Sequence, residues 1–342
     1  MQNTANAPPA PAPATAKLGA FLFDGEGQDR DVDLDTLDVS ALTETQLLWV
    51  DVEDDEASDA HSLIEYLVDQ LELGPHAVEA LQSLDGRADL ASFGDWFLAQ
   101  AVAVEHEGGL RFKGRGLAIV CGHNVVVSLH RGPVQFLEQL RGRERADTRL
   151  GTLSAESFTA SLLGWLVDSY LHAVSDFEAA VDRLEVSVLS ARAPRESLQD
   201  LAELRRGASR LRRMLAPHRH VFGAMARPDF RPDDAGIADK HFRALEQRFE
   251  RAMDAVENAR DLVVGSFELF ATRSSERTND TMRTLTFVTV LLGTLSVVAG
   301  TLGMNFAAPF FDTGGRGFWT AFAGMALVAV IAIVVARWRR WI

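Results

Sequence analysis

Asn279, Met282, Thr286, Thr289, Gly293, Ser296, Gly300 and Gly303 recur at three- and four-residue steps, and from Thr286 on every one is small or hydroxylated. On a helix that spacing makes one stripe. Hydroxyls and glycines on a charge-free apolar segment do one of two jobs. They line a wet cavity, where Thr289 and Ser296 would offer hydroxyls to a hydrated ion, or they let helices approach closely. The stripe by itself leaves both open. The opposite side carries Phe287, Leu291 and Val298, which suit lipid or a second span. Two helices of one chain cannot enclose a pore, so the wet reading requires a symmetric ring of chains.

Other chemistry is poorly represented. No nucleophile–base pair, metal triad or phosphate loop stands out, so neither an enzyme nor a cofactor is expected. Gly25-Glu26-Gly27 and Gly114-Arg115-Gly116 lack the rest of a dinucleotide or P-loop signature. His218, His220 and His241 form the one suggestive histidine group. Imidazoles two apart on a helix point to different sides, so these are expected at the surface rather than on a metal. Cys121 is the single cysteine, which fits a reducing compartment.

The elements that would hold the stripe are legible around it. Leu285–Leu302 runs 18 residues without a charge and Phe318–Ala336 runs 19, each long enough to cross a bilayer core of ~30 Å. The alternative is a pair of buried core helices. Arg273, Arg277 and Arg283 precede the first run and Arg337, Arg339 and Arg340 follow the second, so both flanks are expected in the cytoplasm and the short link outside. Before the first run, Phe242, Leu245, Phe249, Met253, Val256, Val263, Phe267 and Phe270 recur at coiled-coil-like spacing with no helix stop, predicting one long stalk that enters the membrane unbroken and supplies apolar surface for assembly.

Farther upstream, Ser154–Ala191 and Pro194–Met225 read as two long helices. Ala20–Phe23, Leu47–Val52, Trp96–Val104, Leu117–Val120 and Val125–Leu129 read as strands, with helices at His61–Leu73 and Pro75–Leu84. The Ala/Pro-rich stretch 1–16 has neither a basic nor an apolar leader region and is expected to be a disordered tail. Net charge is −14, and the last segment, with four Arg against one Asp, is positive. The acidic body repels nucleic acid and suits a domain that meets cations. The expected organisation is a tail at 1–16, an α/β domain at 17–150, long helices and stalk at 151–283, and a two-helix membrane domain at 284–342 with an outer loop at 303–317.

At the end of the stripe stands Gly303-Met304-Asn305, followed by Phe306. With Thr278–Thr286, Ala299-Gly300, Glu257–Asp261, Ala216-Pro217 with Arg219, and the terminal Arg340-Trp341-Ile342, this resembles the CorA family of Mg²⁺ channels and its zinc-transporting relative ZntB. The resemblance implies an α+β cytoplasmic domain, a helical stalk and two C-terminal spans in a funnel-shaped homopentamer of an inner membrane, with both termini cytoplasmic. It implies that five copies of the first span line the pore and that Gly303, Met304 and Asn305 form the outer mouth. There, carbonyl oxygens would contact a cation that keeps most of its water, as reluctantly dehydrated Mg²⁺ requires. Read alone, Asn305 is an ordinary residue at a helix end. Met282 and Leu285 would form a hydrophobic constriction or belong to the stalk core, and Asn279 would end the pore on the cytoplasmic side. Arg337, Arg339 and Arg340 would supply a basic ring or serve as topology anchors.

The chain also departs from the family pattern. Leu302 stands where a Tyr is usual, Thr294 replaces a mid-span Pro, and Gly293 replaces a bulky residue. Ala307 and Ala308 stand where acids usually follow the signature, leaving Asp312 beside Arg316 in the link. Ala80 and Ala244 fall where the family's ion-sensing acids lie, with Glu79 and Glu246 as neighbouring candidates. Three functions are therefore weighed: a Mg²⁺ channel that also admits Co²⁺ or Ni²⁺, a Zn²⁺ transporter of the same architecture with or without proton coupling, and a non-conducting membrane-anchored scaffold.

Overall fold

The computed structural model describes residues 17–54, 64–68, 71, 86–106, 111–142, 150–190, 194–230, 237–304 and 315–339. Among the described residues seven strands form one sheet: β1 Lys17–Asp24, β2 Arg30–Asp31, β3 Gln46–Asp54, β4 Asp89–Ser92, β5 Phe97–His106, β6 Phe112–Gly122 and β7 Val125–Arg131. Their order is β2-β1-β3-β7-β6-β5-β4, and β3 with β7 is the parallel pair. The helices are α1 Gln135–Gly142, α2 Ala155–Ser190, α3 Pro194–Leu215, α4 His218–Met225, α5 Ile237–Leu302 and α6 Gly315–Trp338.

The central strands are buried on both faces, which is why β5 reads as a near-continuous apolar run. Leu22, Leu48, Val50, Val120 and Val127 pack on one side with Ile64, Leu67 and Val68 from the helical stretch 64–68. The alternate residues face the long helices: Trp49 meets Phe158 of α2 edge-on at 6.0 Å, and Phe97 meets Phe242 of α5 at 6.3 Å. The tight turn between β6 and β7 is held by Asn124 at φ 54°, a left-handed position that Asn tolerates better than most side chains.

All five expected strands are present, and the structure adds β2, β4 and α1, besides two short 3-10 turns at Val39–Ala41 and Leu150–Thr152. β2 and β4 are short edge strands of two and four residues with polar sequences, and α1 is too brief for its periodicity to stand out. The helix expected at Pro194–Met225 is two helices, because Pro217 has no N–H to continue the ladder; Arg219 N–H bonds back to Ala216 instead. The helix expected at Pro75–Leu84 lies outside the described residues.

Helix α5 runs 66 residues without a break. Its apolar stripe does not wait for assembly, as the sequence suggested. Phe242, Leu245, Phe249, Met253, Val256 and Val263 are buried within the chain itself, with Phe249 edge-on to Phe222 of α4 at 5.3 Å. Contacts gather the described residues into two units. One holds those up to Val186 and Arg195–Gly265; the other holds those from Ser266 on with a short piece at 187–194.

Candidate functional site

The second unit carries the two apolar runs, on α5 and on α6, and no part of either run's most apolar window is buried in the chain. Leu285 is 64% exposed, Val297 69% and Phe318 66%. A soluble core would cover such side chains, so the reading of these segments as buried core helices fails, and both are long and apolar enough to span a bilayer.

Each run has one shielded edge. On α5 the partly covered residues are Phe287, Leu291, Leu295 and Leu302. On α6 they are Ala321, Met325, Ala329 and Ala332, with Gly317 and Ala336 buried. The stripe of Asn279, Met282, Thr286, Thr289, Gly293, Ser296, Gly300 and Gly303 lies away from the α5 edge, and every member is exposed. Met282 and Leu285 are therefore no part of this chain's core. A Cβ at Gly293 or Gly300 would meet nothing within 4 Å. Among the described residues, nothing in the chain crowds either position.

The hydroxyls have a defined polarity. Thr289 Oγ1 donates to the Leu285 carbonyl at 2.8 Å, Thr294 to Val290 at 2.8 Å and Thr301 to Val297 at 2.8 Å. With its proton committed to the backbone, each oxygen turns only lone pairs outward. Such an oxygen accepts from the water shell of a cation. Thr294, unlike a Pro, keeps its backbone N–H, and α5 continues through this position without a break.

Helix α5 ends at Leu302, where Gly303 N–H is shared between the Ala299 and Gly300 carbonyls at 3.0 and 3.2 Å and Met304 N–H reaches Thr301 at 3.3 Å. A helix C-terminus carries partial negative charge, favourable to a cation at Gly303 and Met304. Asn305, Arg340, Asp312 and Glu79 lie outside the described residues. Arg337 and Arg339 are exposed at the end of α6. Glu246 is half-buried and turns its carboxylate toward Gly223 of its own chain. Among the described residues no group of three His, Cys, Asp or Glu could hold a metal ion.

His218 is not at the surface as expected; it is fully buried, while His220 is exposed. Its Nε2 accepts the Val102 N–H at 2.9 Å and its Nδ1–H donates to the Leu215 carbonyl at 3.0 Å. Tyr170 completes the same residue by donating to the Val102 carbonyl at 2.8 Å. Two helical side chains thus satisfy β5 beyond Gln100, where its pairing with β4 ends. Burial pushes the imidazole down to about 4 and pushes the Tyr170 hydroxyl up.

A second polar group escaped the sequence reading. Trp49 Nε1 donates to Ser128 Oγ at 2.9 Å, Ser128 donates to Asp51 Oδ1, and Arg141 Nε of α1 sits 2.9 Å from Asp51 Oδ2. His130 Nε2 stands 3.4 Å from Asp51 Oδ1. The residue types are those of a hydrolytic triad, but the serine proton goes to the aspartate and not to the imidazole, and Asp51, Ser128 and His130 are fully buried. The group ties α1 to the β3–β7 pair. Its only sequence signal is alternation: Trp49-x-Asp51 and Ser128-x-His130 share one face of adjacent strands.

A family model described as CorA-like Mg²⁺ transporter protein matches residues 44–338. A cobalt/magnesium transport protein CorA from Thermotoga maritima is 29% identical over 188 residues, 55% of this chain and 53% of that protein. The divalent cation transporter CmaX from Pseudomonas aeruginosa is 28% identical over 220 residues, 64% of each chain. The match to the first spans about half of its length, and to the second somewhat under two thirds. Among solved structures, the complete CorA of Methanocaldococcus jannaschii superposes with a TM-score of 0.72 at 18% identity, covering 94% of this chain and 98% of that one. Full-length CmaX superposes with a TM-score of 0.67 at 25% identity, covering 94% and 97%.

Proposed function

This chain belongs to the family of CorA-like Mg²⁺ transporter proteins, and from that premise we propose that it carries hydrated divalent cations, Mg²⁺ foremost, through a pore lined by the first span. The chain assembles as a homopentamer in an inner membrane, with both termini cytoplasmic. Its parts are the α/β domain at 17–150, the helices and stalk at 151–283, and the membrane domain at 284–342. It is a transporter rather than an enzyme, and the metal is cargo rather than a resident cofactor.

The observation that carries this reading is the unshielded stripe of α5. Its Gly293 and Gly300 are crowded by no described residue of the chain, and the back-bonded Thr289 presents lone pairs outward. A hydrated cation offers only O–H donors at its surface, so such a wall matches it without stripping the shell. The five Asn305 side chains and the carbonyls of Gly303 and Met304 then form the outer mouth. Ser296, Thr289, Gly293 and Gly300 line the middle, and Leu285 and Met282 make the apolar constriction. Asn279 ends the pore on the cytoplasmic side, and Arg337, Arg339 and Arg340 ring that mouth. Glu79 and Glu246 are the acids available for regulation by bound ions.

Ion uptake by the purified protein in liposomes tests this, comparing Mg²⁺, Co²⁺, Ni²⁺ and Zn²⁺ in the parent chain and in Asn305→Ala. Uptake of Mg²⁺ that is lost in the variant supports the assignment. Uptake of Zn²⁺ alone makes the chain a zinc transporter, and equal uptake by both chains removes Asn305 from the mouth.

A further inference from the structure

The outward side of α3 carries five arginines within nine residues, Arg205, Arg206, Arg210, Arg212 and Arg213, on a chain of net charge −14. Leu201, Leu204, Ala208, Leu211 and Leu215 are the buried side of the same helix, and all five arginines are exposed. Two have partners in the chain: Arg210 donates to the Phe112 carbonyl at 3.1 Å, and Arg212 stands 3.6 Å from Glu257. Arg205, Arg206 and Arg213 have no ion pair or side-chain hydrogen bond among the described residues. Like charges one and two turns apart on a helix repel, so an unmatched column of this kind is stabilised by an anionic surface laid against it.

The chain carries a complementary surface. The connection from β1 to β3 holds Asp29, Asp31, Asp33, Asp35 and Asp38 against one Arg30. Asp31, Asp33 and Asp35 are exposed. A ring is closed by head-to-tail contacts that join two different patches on successive subunits, unlike a two-fold dimer, which joins a patch to itself. One basic face and one acidic loop on the same chain are the pair such a contact needs. The stripe on α5 from Phe242 to Val263 is spent inside the chain and is not free for this docking.

We propose that the Arg205–Arg206–Arg213 face of α3 docks on the Asp31–Asp33–Asp35 loop of a second copy of this chain. The contact rests on the ring assembly proposed above and names the residues that hold its soluble parts together. It sets register between subunits more than it adds affinity, and it weakens with salt.

The test uses the full chain in detergent, carrying Arg206→Cys and Asp35→Cys together, with each single variant as control; Cys121 is buried and stays. Native mass spectrometry reports the assembly independently. The expected result is an oxidised ladder of chains up to ring size from the double variant and none from either control. An assembled ring without a ladder overturns the contact and leaves the pore reading standing, whereas a monomeric chain overturns the ring and the contact with it. Because a cysteine removes a charge, a second measurement follows the chain concentration at half-assembly. Arg206→Glu with Arg213→Glu raises it roughly tenfold at low salt, and adding Asp33→Arg with Asp35→Arg restores it. Failure of restoration, or a loss that tracks anionic lipid rather than chain concentration, overturns the proposal.

Discussion

The Thr289 hydroxyl donates to the Leu285 carbonyl at 2.8 Å, so the oxygen it presents beyond the helix is an acceptor and nothing else. Thr289→Val keeps the shape and removes that acceptor. One hydrogen bond to a hydrated ion is worth about 1 kcal/mol, so Mg²⁺ flux in proteoliposomes is expected to fall roughly fivefold, while Thr289→Ser retains most of it. Flux in the valine variant equal to the parent's would take Thr289 out of the wall.

Gly293 and Gly300 face open space in the single chain. Gly300→Leu is therefore expected to leave the thermal unfolding of the soluble unit unchanged while cutting ion flux tenfold or more, because the side chain enters a space that only an assembly creates. A lowered melting temperature with intact flux would mean that the glycine serves folding instead.

His218 sets a pH dependence that can be signed. Its folded-state value is pushed down from 6.5 to about 4 by burial, so the unfolded chain binds the proton more readily in that window. Its stabilising contribution is full above pH 6.5 and is lost as pH falls toward 4, amounting to about 3 kcal/mol at the acid end. His218→Gln keeps an acceptor for the Val102 N–H and is expected to flatten the stability profile between those pH values, as followed by denaturant unfolding. A profile as steep as the parent's would assign the dependence to other groups.

Arg141 reaches from α1 to the buried Asp51 carboxylate at 2.9 Å. Arg141→Met strands that charge among Ser128 and His130, and removing one partner of a buried pair costs about 3 kcal/mol or more. A fall in thermal midpoint of several degrees is expected, with ion selectivity unchanged. A neutral effect would show that Ser128 alone satisfies the carboxylate.

How much of this was written in the sequence varies with the length scale of each signal. The α5–α6 pair was legible because 18 charge-free residues bounded by arginines leave few alternatives. The five long strands were legible from their Val, Leu and Phe content. The edge strand Arg30–Asp31 was not, since two polar residues carry no alternation, and its existence depends on β1 being there to pair with. His218 was read from its spacing to His220, which says nothing about the unpaired Val102 N–H that draws it inside from far along the chain. The Asp51–Ser128–His130 group was hidden for the same reason: its members meet only through the β3–β7 register. The stripe was visible as a pattern, and the single chain, which leaves Gly293 and Gly300 uncrowded, is compatible with both of its readings.

The central claim is that the unshielded side of α5 faces water inside an assembly while its shielded edge does not. Single cysteines at Ser296 and at Leu291 test it, using a charged, membrane-impermeant thiol reagent applied during Mg²⁺ flux through proteoliposomes, with Cys121 buried and silent. The account predicts that the reagent reacts with Ser296→Cys and stops the flux, and that Leu291→Cys neither reacts nor loses flux. Block at Leu291→Cys with none at Ser296→Cys would contradict it.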